Sequence, residues 1–381
     1  MNFELNEDQL ILQELVRDFA RKEIAPKIGY FEENHLFPKE IIQKLAGLGL
    51  MGMAIPPEYG GTKTNYLSLI LALEELSKAS PTVCLIVSVH ASLFSSLILK
   101  FGSPLQRDKY LPRAARGEVL GAFSLTEPGA GSDVTNLKTK AVKTGSEYIL
   151  NGTKAWVTSG NEADALILFA QTESEPGPPK LSAFIVEKDF PGFSVAKIEE
   201  KMGLHSSPAA EIVLEDCRVP AENLLGKEGR GASIALQGLD GSRIGIAAQS
   251  VGLSQQALEL AASYAKQREA FGKKIAEFQA IQFMIADIAT LVDAARLLTY
   301  RAADHYDRGL AHATEAAMAK LFASEAANKV AYLALQIHGG YGYSKEYAIE
   351  KLYRDARALS IYEGTSEIQR LVIARKLLKE S

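Results

Sequence analysis

Gly47-Leu48-Gly49-Leu50-Met51-Gly52 decides the fold class by the reading it is given. The string satisfies the G-x-G-x-x-G pattern of dinucleotide-binding α/β folds, where a pyrophosphate settles on the start of a helix that directly follows a strand. Its neighbours do not supply that context. Upstream, Pro38 suits the first turn of a helix whose Ile41, Ile42, Leu45 and Leu48 share one face, so the glycines follow a helix and Gly49 can end it. Downstream, Pro56-Pro57 opposes a new helix. The match reads as an accident of a helix end, and a Rossmann assignment built on it fails.

Outward from this segment, the N-terminal third reads as helices only. Asn6 and Gln9 have capping-box spacing, and Leu10, Ile11, Leu15, Phe19 and Ile24 then make one apolar face as far as Pro26. Residues 64–78 and 81–101 predict two more helices, and Ser103-Pro104-Leu105-Gln106 opens another. Near Val119 the period changes. Residues 147–153 predict a strand running into an Asn151-Gly152 turn; 165–170, 181–186, 193–198 and 211–214 predict four more. Residues 172–180, with three prolines and a glycine, predict an exposed loop. After Gly226-Lys227-Glu228-Gly229-Arg230-Gly231 come long alanine-rich helices over about 232–266, 275–308, 314–337 and 346–359, with a last one after Ser366. The predicted class is α+β, with an N-terminal helical domain (1–119), a middle β-domain of antiparallel, barrel-like or sandwich-like character (120–230) and a C-terminal domain like a four-helix bundle (231–381).

Composition narrows the function. The 381 residues are 47% hydrophobic and 23% charged, enough for a large core and an enzyme-sized soluble protein. With 42 basic against 46 acidic residues, a net charge of −4 and no long basic run, nucleic acid is not the expected partner. Cys84 and Cys217 lie far apart without ligand spacing, so no disulfide framework or metal site is expected, and a reducing compartment fits. The acidic N-terminus lacks the regions of a signal peptide, which predicts a cytoplasmic protein, or a mitochondrial-matrix one for a mature eukaryotic form. The uncharged run 83–99 approaches spanning length, but Pro81 before it and Ser88, His90, Ser92, Ser95 and Ser96 inside it predict a buried core helix and no membrane span.

Several stretches break these patterns. Ile361-Tyr362-Glu363-Gly364-Thr365-Ser366-Glu367-Ile368-Gln369-Arg370 places a carboxylate before a flexible glycine and a helix start, Ser366 and Gln369 having capping-box spacing. Glu363 is either an aimed general base or a surface glutamate; if it is buried, desolvation outweighs the helix dipole and raises its proton affinity. Phe123-Ser124-Leu125-Thr126-Glu127-Pro128-Gly129-Ala130-Gly131-Ser132-Asp133 exposes backbone amides and hydroxyls as a cofactor loop would, or is a turn. The single tryptophan, Trp156, is a core residue or the cover of a planar cofactor. Arg268 to Lys274 puts three cations at a helix break, suited to phosphate or to solvent. His338, in Gln336-Ile337-His338-Gly339-Gly340-Tyr341-Gly342-Tyr343, reads as a helix-end histidine, because the six histidines show no metal spacing.

Taken together and in this order, Thr126 to Asp133, Arg268 with Phe271-Gly272, Gln336 with Gly339-Gly340, and Tyr362-Glu363-Gly364-Thr365 resemble the acyl-CoA dehydrogenase family over essentially the whole chain. The resemblance implies a homotetrameric flavoenzyme holding FAD non-covalently between the β-domain and the C-terminal helices. Glu363 matches the base that removes the pro-R α-proton of an acyl-CoA while the β-hydride leaves to flavin N5. The implied product is a trans-2-enoyl-CoA, with electrons passing to electron-transferring flavoprotein. The thioester oxygen would be held by the Glu363 N–H and a ribityl hydroxyl. By the same resemblance Phe123, Leu125, Thr126, Gly131 and Ser132 match the FAD loop, with Ser132 also reaching CoA, and Trp156 and Thr158 flank the isoalloxazine. Arg268, Phe271 and Gln279 match contacts to the pyrophosphate and adenosine side, Gln336, Gly339 and Gly340 come from a neighbouring subunit, Thr365 and Glu367 complete the cofactor set, and Asp240, Arg243 and Gly364 match substrate contacts. Phe123 replaces the tyrosine of some relatives and loses its hydroxyl.

Subfamily features point to a short-chain, butyryl-type enzyme. Ser242 stands where isovaleryl- and long-chain-type members carry the base, and Cys84 where glutaryl-type members carry an arginine, while Val87-Ser88-Val89-His90 and 364–370 look butyryl-like. An acyl-CoA oxidase, a nitroalkane-oxidase-like enzyme (which would carry aspartate as base) and a non-catalytic DNA-binding member (which would carry basic additions) are the rival readings.

Overall fold

The computed structural model describes residues 4–62, 64–173, 178 and 180–378. Seven helices come first: α1 (Glu7–Phe19), α2 (Ala25–Glu33), α3 (Lys39–Gly47), α4 (Tyr66–Ala79), α5 (Pro81–Ser88), α6 (Ser96–Phe101) and α7 (Pro104–Ala115). The decisive glycines end α3, where Gly49 takes φ 76° and a 3₁₀ turn, Leu50–Gly52, follows. Among the described residues the first strand begins only at Gly121, so the dinucleotide motif has no strand to follow.

Asn6 and Gln9 form the expected reciprocal cap of α1, as do Ser103 and Gln106 at α7. The buried face of α1 differs from the expected one. Val16, Ala20 and Ile24 enter the core, whereas Leu10, Ile11 and Leu15 are exposed by 53%, 62% and 44%. Leu12 and Phe19 pack beside Val16, so the core side of α1 is already set before the chain passes into α2 through a π-helical turn, Ala20–Ile24. A second π-helical stretch, Val89–Ser95, joins α5 to α6. The continuous helix Pro81–Phe101 is long and apolar enough to cross a membrane, yet 89% of its most apolar stretch is buried inside the protein, as expected of a core helix.

The middle region contributes β1 (Gly121–Ser124), β2 (Lys140–Thr144), β3 (Glu147–Thr158), β4 (Ala165–Thr172), β5 (Lys180–Glu187), β6 (Phe193–Ile198), β7 (Ala209–Pro220) and β8 (Leu224–Leu225). Their order is β6-β7-β3-β2-β4-β5-β8, with β1 paired to β4. Most pairs are antiparallel, as expected. The β1–β4 and β2–β4 pairs are parallel, so the sheet is mixed, and the described strands do not close into a barrel. The Asn151-Gly152 turn is not formed. β3 runs through it with a register shift, and Asn151 and Asp216 of β7 exchange hydrogen bonds of 3.0 and 2.8 Å. The hairpin turn lies instead at Gly145, φ 62°, between β2 and β3. The loop expected over 172–180 lies largely outside the described residues.

The C-terminal region holds α8 (Gly231–Gln267), a small hairpin of β9 (Glu269–Ala270) and β10 (Lys273–Lys274), then α9 (Gln279–Asp307), α10 (Ala313–His338), α11 (Ala348–Leu359) and α12 (Ser366–Leu377). The 37-residue α8 is the central rod. A Cβ at Gly252 would come within 2.2 Å of the Glu74 carbonyl, so glycine is what lets α8 cross α4 this closely.

One buried charge cluster joins all three regions. The loop from β6 to β7 donates His205 N–H to Glu32 of α2 at 2.9 Å and Leu204 N–H to Asp355 of α11 at 2.7 Å. Lys351 lies 3.7 Å from Glu32 and also pairs with Asp355. Thr82, in α5, donates to Glu32 as well.

Candidate active site

Glu363 sits in the short turn between α11 and α12, and its backbone is itself left-handed, φ 53°, with Gly364 following at φ 96°. A non-glycine residue there stores on the order of 1 kcal/mol of strain, which surrounding contacts must hold. They do. Lys320 Nζ, from α10, donates to the Gly364 carbonyl at 2.7 Å, and Gln369 Nε2 donates to the carbonyls of Gly364 at 2.9 Å and Glu363 at 3.3 Å. The φ of 96° at Gly364 favours glycine, and a Cβ there would also lie 2.6 Å from that amide nitrogen and displace the brace. The cap of α12 is shifted from the expected Ser366 to Thr365, whose hydroxyl accepts from Ile368 N at 3.4 Å. Gln369 is thereby released from capping to brace the turn.

The carboxylate of Glu363 is withdrawn from water although the residue as a whole keeps some exposure: its Oε2 is buried and has no hydrogen-bond partner. Burial raises its pKa from 4.5 to about 7, with the Ser242 hydroxyl and the charges of Lys320 and Arg243 acting in the opposite direction. Ser242 is therefore a close neighbour, so the two alternative base positions of the sequence comparison converge on one spot. Arg243 is 3% exposed and pairs with Asp240 at 2.7 Å, its Nε unpartnered. The Glu363 N–H makes no hydrogen bond among the described residues and is available to an acceptor. Beside it, Tyr362 donates to Gln249 Oε1 at 2.7 Å and Gln249 donates to the Pro81 carbonyl at 2.7 Å, fixing a rigid wall.

The β-domain presents the second part. Phe123, at the end of β1, packs against the buried cluster that contains Leu359 and that Leu239 and Tyr362 also adjoin, so the β-domain meets the C-terminal helices there. Leu125 is buried, and Ala155 N–H donates to the Thr126 carbonyl at 2.9 Å, tying the loop to β3. At Gly129 and Gly131 an added Cβ would meet nothing within 4 Å, so the backbone there is open to a ligand. Ser132 is exposed and Thr158 half-buried. Trp156 is not a core residue: it is 57% exposed, at φ 58°, where the β3–β7 register slips between Lys154 and Val157. This bulge turns the indole outward and Lys154 inward. Lys154, 0% exposed, donates to Glu127 at 2.8 Å and to the Leu125 carbonyl at 3.2 Å, while Glu127 also accepts from the backbone of Lys138 and Thr139. Burial pulls the Lys154 pKa down to about 8 despite Glu127.

The third part is a cavity of about 850 Å³ whose lining includes Arg268, Phe271, Gly339, Gly340, His338 and Tyr341, but neither Glu363 nor Trp156. Phe271, at the tip of the β9–β10 hairpin, is 96% exposed, and the Arg268 guanidinium lies 5.5 Å over the Tyr341 ring. Gly339 has φ 58°, and an added Cβ at Gly340 would meet nothing within 4 Å. Gln279 opens α9 between two lining residues, Gln336 is exposed near the end of α10, and Glu367 is exposed on the first turn of α12. Arg268 and Gly339-Gly340 thus line one cavity of this chain. His338 ends α10, hydrogen-bonded to Ala334 O at 2.7 Å, a capping role as expected.

The family models of the acyl-CoA dehydrogenase N-terminal, middle and C-terminal domains match residues 6–118, 122–217 and 229–378. The chain belongs to the acyl-CoA dehydrogenase family. It is 50% identical over 374 residues to an acyl-CoA dehydrogenase of Bacillus subtilis, covering 98% of this chain and 99% of that one. It is 44% identical to the short-chain specific acyl-CoA dehydrogenase of Clostridium acetobutylicum over the full length of both. Among solved structures it resembles butyryl-CoA dehydrogenase from Megasphaera elsdenii, with a TM-score of 0.96, 43% identity and 99% and 100% of the two chains covered. A chain in the structure of electron transferring flavoprotein of Acidaminococcus fermentans matches with a TM-score of 0.97 and 47% identity, each chain covered completely. An acyl-CoA dehydrogenase complexed with FAD from Bacillus anthracis matches with a TM-score of 0.95, 36% identity and 99% and 68% coverage. The helical, β and helical thirds of the acyl-CoA dehydrogenase fold are therefore those described above.

Proposed function

We propose that this acyl-CoA dehydrogenase oxidises short-chain acyl-CoA to the trans-2-enoyl-CoA with Glu363 as the α-proton base and FAD as its cofactor. The observation that carries the proposal is the unpartnered, buried Oε2 of Glu363 in a braced left-handed turn, its pKa raised by burial to about 7. The residues fit FAD: Gly129 and Gly131 leave backbone open, Trp156 offers an exposed ring, and the Arg268 cavity suits a pyrophosphate and an adenine. Bound FAD would supply the two-electron acceptor that takes the β-hydride. Glu363 takes the α-proton on its carboxylate, and its N–H donates to the thioester oxygen where negative charge develops. Arg243 and Asp240 lie beside it to orient the substrate. Cys84, buried and close enough to feel the Glu363 charge, offers no cation for a second carboxylate, and similarity to the short-chain specific and butyryl-CoA dehydrogenases supports a short acyl chain.

Two findings support an oligomer exchanging flavin contacts. The Arg268 cavity is separate from the Glu363 turn, and α9, α10 and α12 expose Phe283 (64%), Tyr332 (50%) and Leu371 (47%), apolar faces fit for other copies in a homotetramer. Similarity to a chain solved with electron transferring flavoprotein supports that protein as the electron acceptor.

Titrating the purified protein anaerobically with acyl-CoAs of increasing length, while following flavin absorbance, tests the function; butyryl-CoA is expected to bleach the flavin, and no bleaching by any acyl-CoA would overturn it. The rate of reduction is expected to rise with pH through about 7, because only ionised Glu363 accepts the proton. Because Trp156 is the single tryptophan, adding FAD to the apoprotein is expected to quench most of the intrinsic indole emission. Tyrosine-only emission in Trp156→Phe, with FAD still bound, confirms the reporter.

A further inference from the structure

Lys320 is a fully buried lysine to which the reaction as described gives no task. It lies on α10 with its ammonium 2.7 Å from the Gly364 carbonyl. Alanines dominate its helix neighbourhood, and a methionine or leucine would fill the space without the desolvation cost of a cation. Burial lowers its pKa to about 8; the charges acting on it are Glu363, then Arg243, then Glu367 and Glu325. Arg243 is itself paired with Asp240, and Glu325 with Arg370 at 2.7 Å, so neither Asp240 nor Glu325 is reserved for Lys320. No carboxylate forms a direct ion pair with it among the described residues, which leaves Glu363 as the first charge to respond to its ammonium.

We propose that Lys320 is the positioning residue of the base, holding the left-handed Glu363–Gly364 turn through its hydrogen bond and keeping the Glu363 carboxylate ionised at neutral pH through its charge. The inference rests on Glu363 acting as the base. Two arms follow from it. The hydrogen bond fixes where the Glu363 N–H and carboxylate point, which governs the maximal rate. The charge opposes the desolvation of the carboxylate, which governs the pH at which the rate appears. Gln369 duplicates part of the first arm, since it donates to the same carbonyl, but it carries no charge and cannot replace the second.

Three variants separate the arms. Lys320→Gln keeps a donor and removes the charge, Lys320→Met removes both, and Lys320→Arg keeps both. For the holoenzyme with butyryl-CoA, the acid limb of flavin reduction is expected to move alkaline by about one pH unit in Lys320→Gln and Lys320→Met, a roughly tenfold slower reaction on that limb. Lys320→Met is also expected to lose plateau rate, and Lys320→Arg to restore the wild-type limb. A second readout needs no turnover: infrared titration of the protonated-carboxyl band that disappears in Glu363→Gln should show the same alkaline displacement in Lys320→Gln. An unmoved infrared midpoint in soluble, folded Lys320→Gln overturns the proposal, and so does a fall in rate that is uniform across pH. A displaced midpoint together with full activity of Glu363→Gln would instead keep the electrostatic link and reject Glu363 as the base.

Discussion

Glu363→Gln is expected to retain FAD and bind butyryl-CoA yet lose flavin reduction by on the order of 10²–10⁴-fold, the contribution of a positioned base. Glutamine keeps the shape and the backbone, so the left-handed turn, its braces from Lys320 and Gln369 and the Glu363 N–H remain. What disappears is the acceptor for the proton. Rapid-mixing measurement of flavin absorbance decides it; a wild-type rate would remove Glu363 from the mechanism. The same substitution has a second consequence of opposite sign. A carboxyl whose pKa rises from 4.5 to about 7 on folding binds its proton more tightly in the native state, so ionising it there costs stability as pH climbs through this window. Below 4.5 the cost is absent, and above about 7 it is complete, on the order of 3 kcal/mol. Glu363→Gln is therefore expected to be more stable than the wild type at pH 8 and similar to it near pH 4. Denaturant unfolding at the two pH values measures the difference.

Lys154→Met carries the largest expected loss of stability. The Lys154–Glu127 pair is buried on both sides, and removing one partner strands the other charge, at a cost of about 3–5 kcal/mol. Glu127 then keeps its backbone donors, from Lys138 and Thr139, but no cation. The damage is expected at one place, because Lys154 also holds the Leu125 carbonyl and thereby joins the Thr126 loop to the bulge that presents Trp156. Weakened FAD retention should accompany the loss, read as reduced quenching of Trp156 emission. The double variant Lys154→Met/Glu127→Gln removes the stranded charge and is expected to recover much of the stability; if both single variants and the double unfold alike, the pair is not coupled as described. Flavin retention is expected to stay impaired in the double variant, since the link to Leu125 is still absent.

The parts of this protein that follow from local chemistry were legible in the sequence. The end of α3 at Gly49, the reciprocal caps of α1 and α7 and the change of period near Val119 are each written within a few residues. Asn151-Gly152 was misread because Asp216, distant in sequence, supplies the partner that keeps Asn151 in a strand. Leu10 and Ile11 were misplaced because α1 carries apolar residues on more than one face, and the face that meets the core is the one with Leu12, Val16 and Phe19. At the site, Glu363 was visible through its glycine and helix cap, but the braces were not. Lys320 looks like one more charge on an alanine-rich helix, Gln369 looks like a capping residue, and Lys154 stands in an ordinary alternating strand. Each gains its role from a residue between 5 and 44 positions away, contacts that no local pattern encodes.

The cluster of Glu32, Lys351 and Asp355 around the β6–β7 loop bears on how this chain comes apart. Glu32 comes from the N-terminal region, Lys351 and Asp355 from the C-terminal one and the loop from the middle, and each region leaves behind an uncompensated charge or amide if it departs alone. Pieces cut near residues 119 and 230 are therefore expected to be less stable apart than joined. A fragment carrying only the strands would surrender His205 and Leu204 amides to water, while α2 and α11 would lose the loop that insulates their charges. Evolutionary modules and cooperative units need not coincide, and in this protein the unit that folds is expected to be the whole chain.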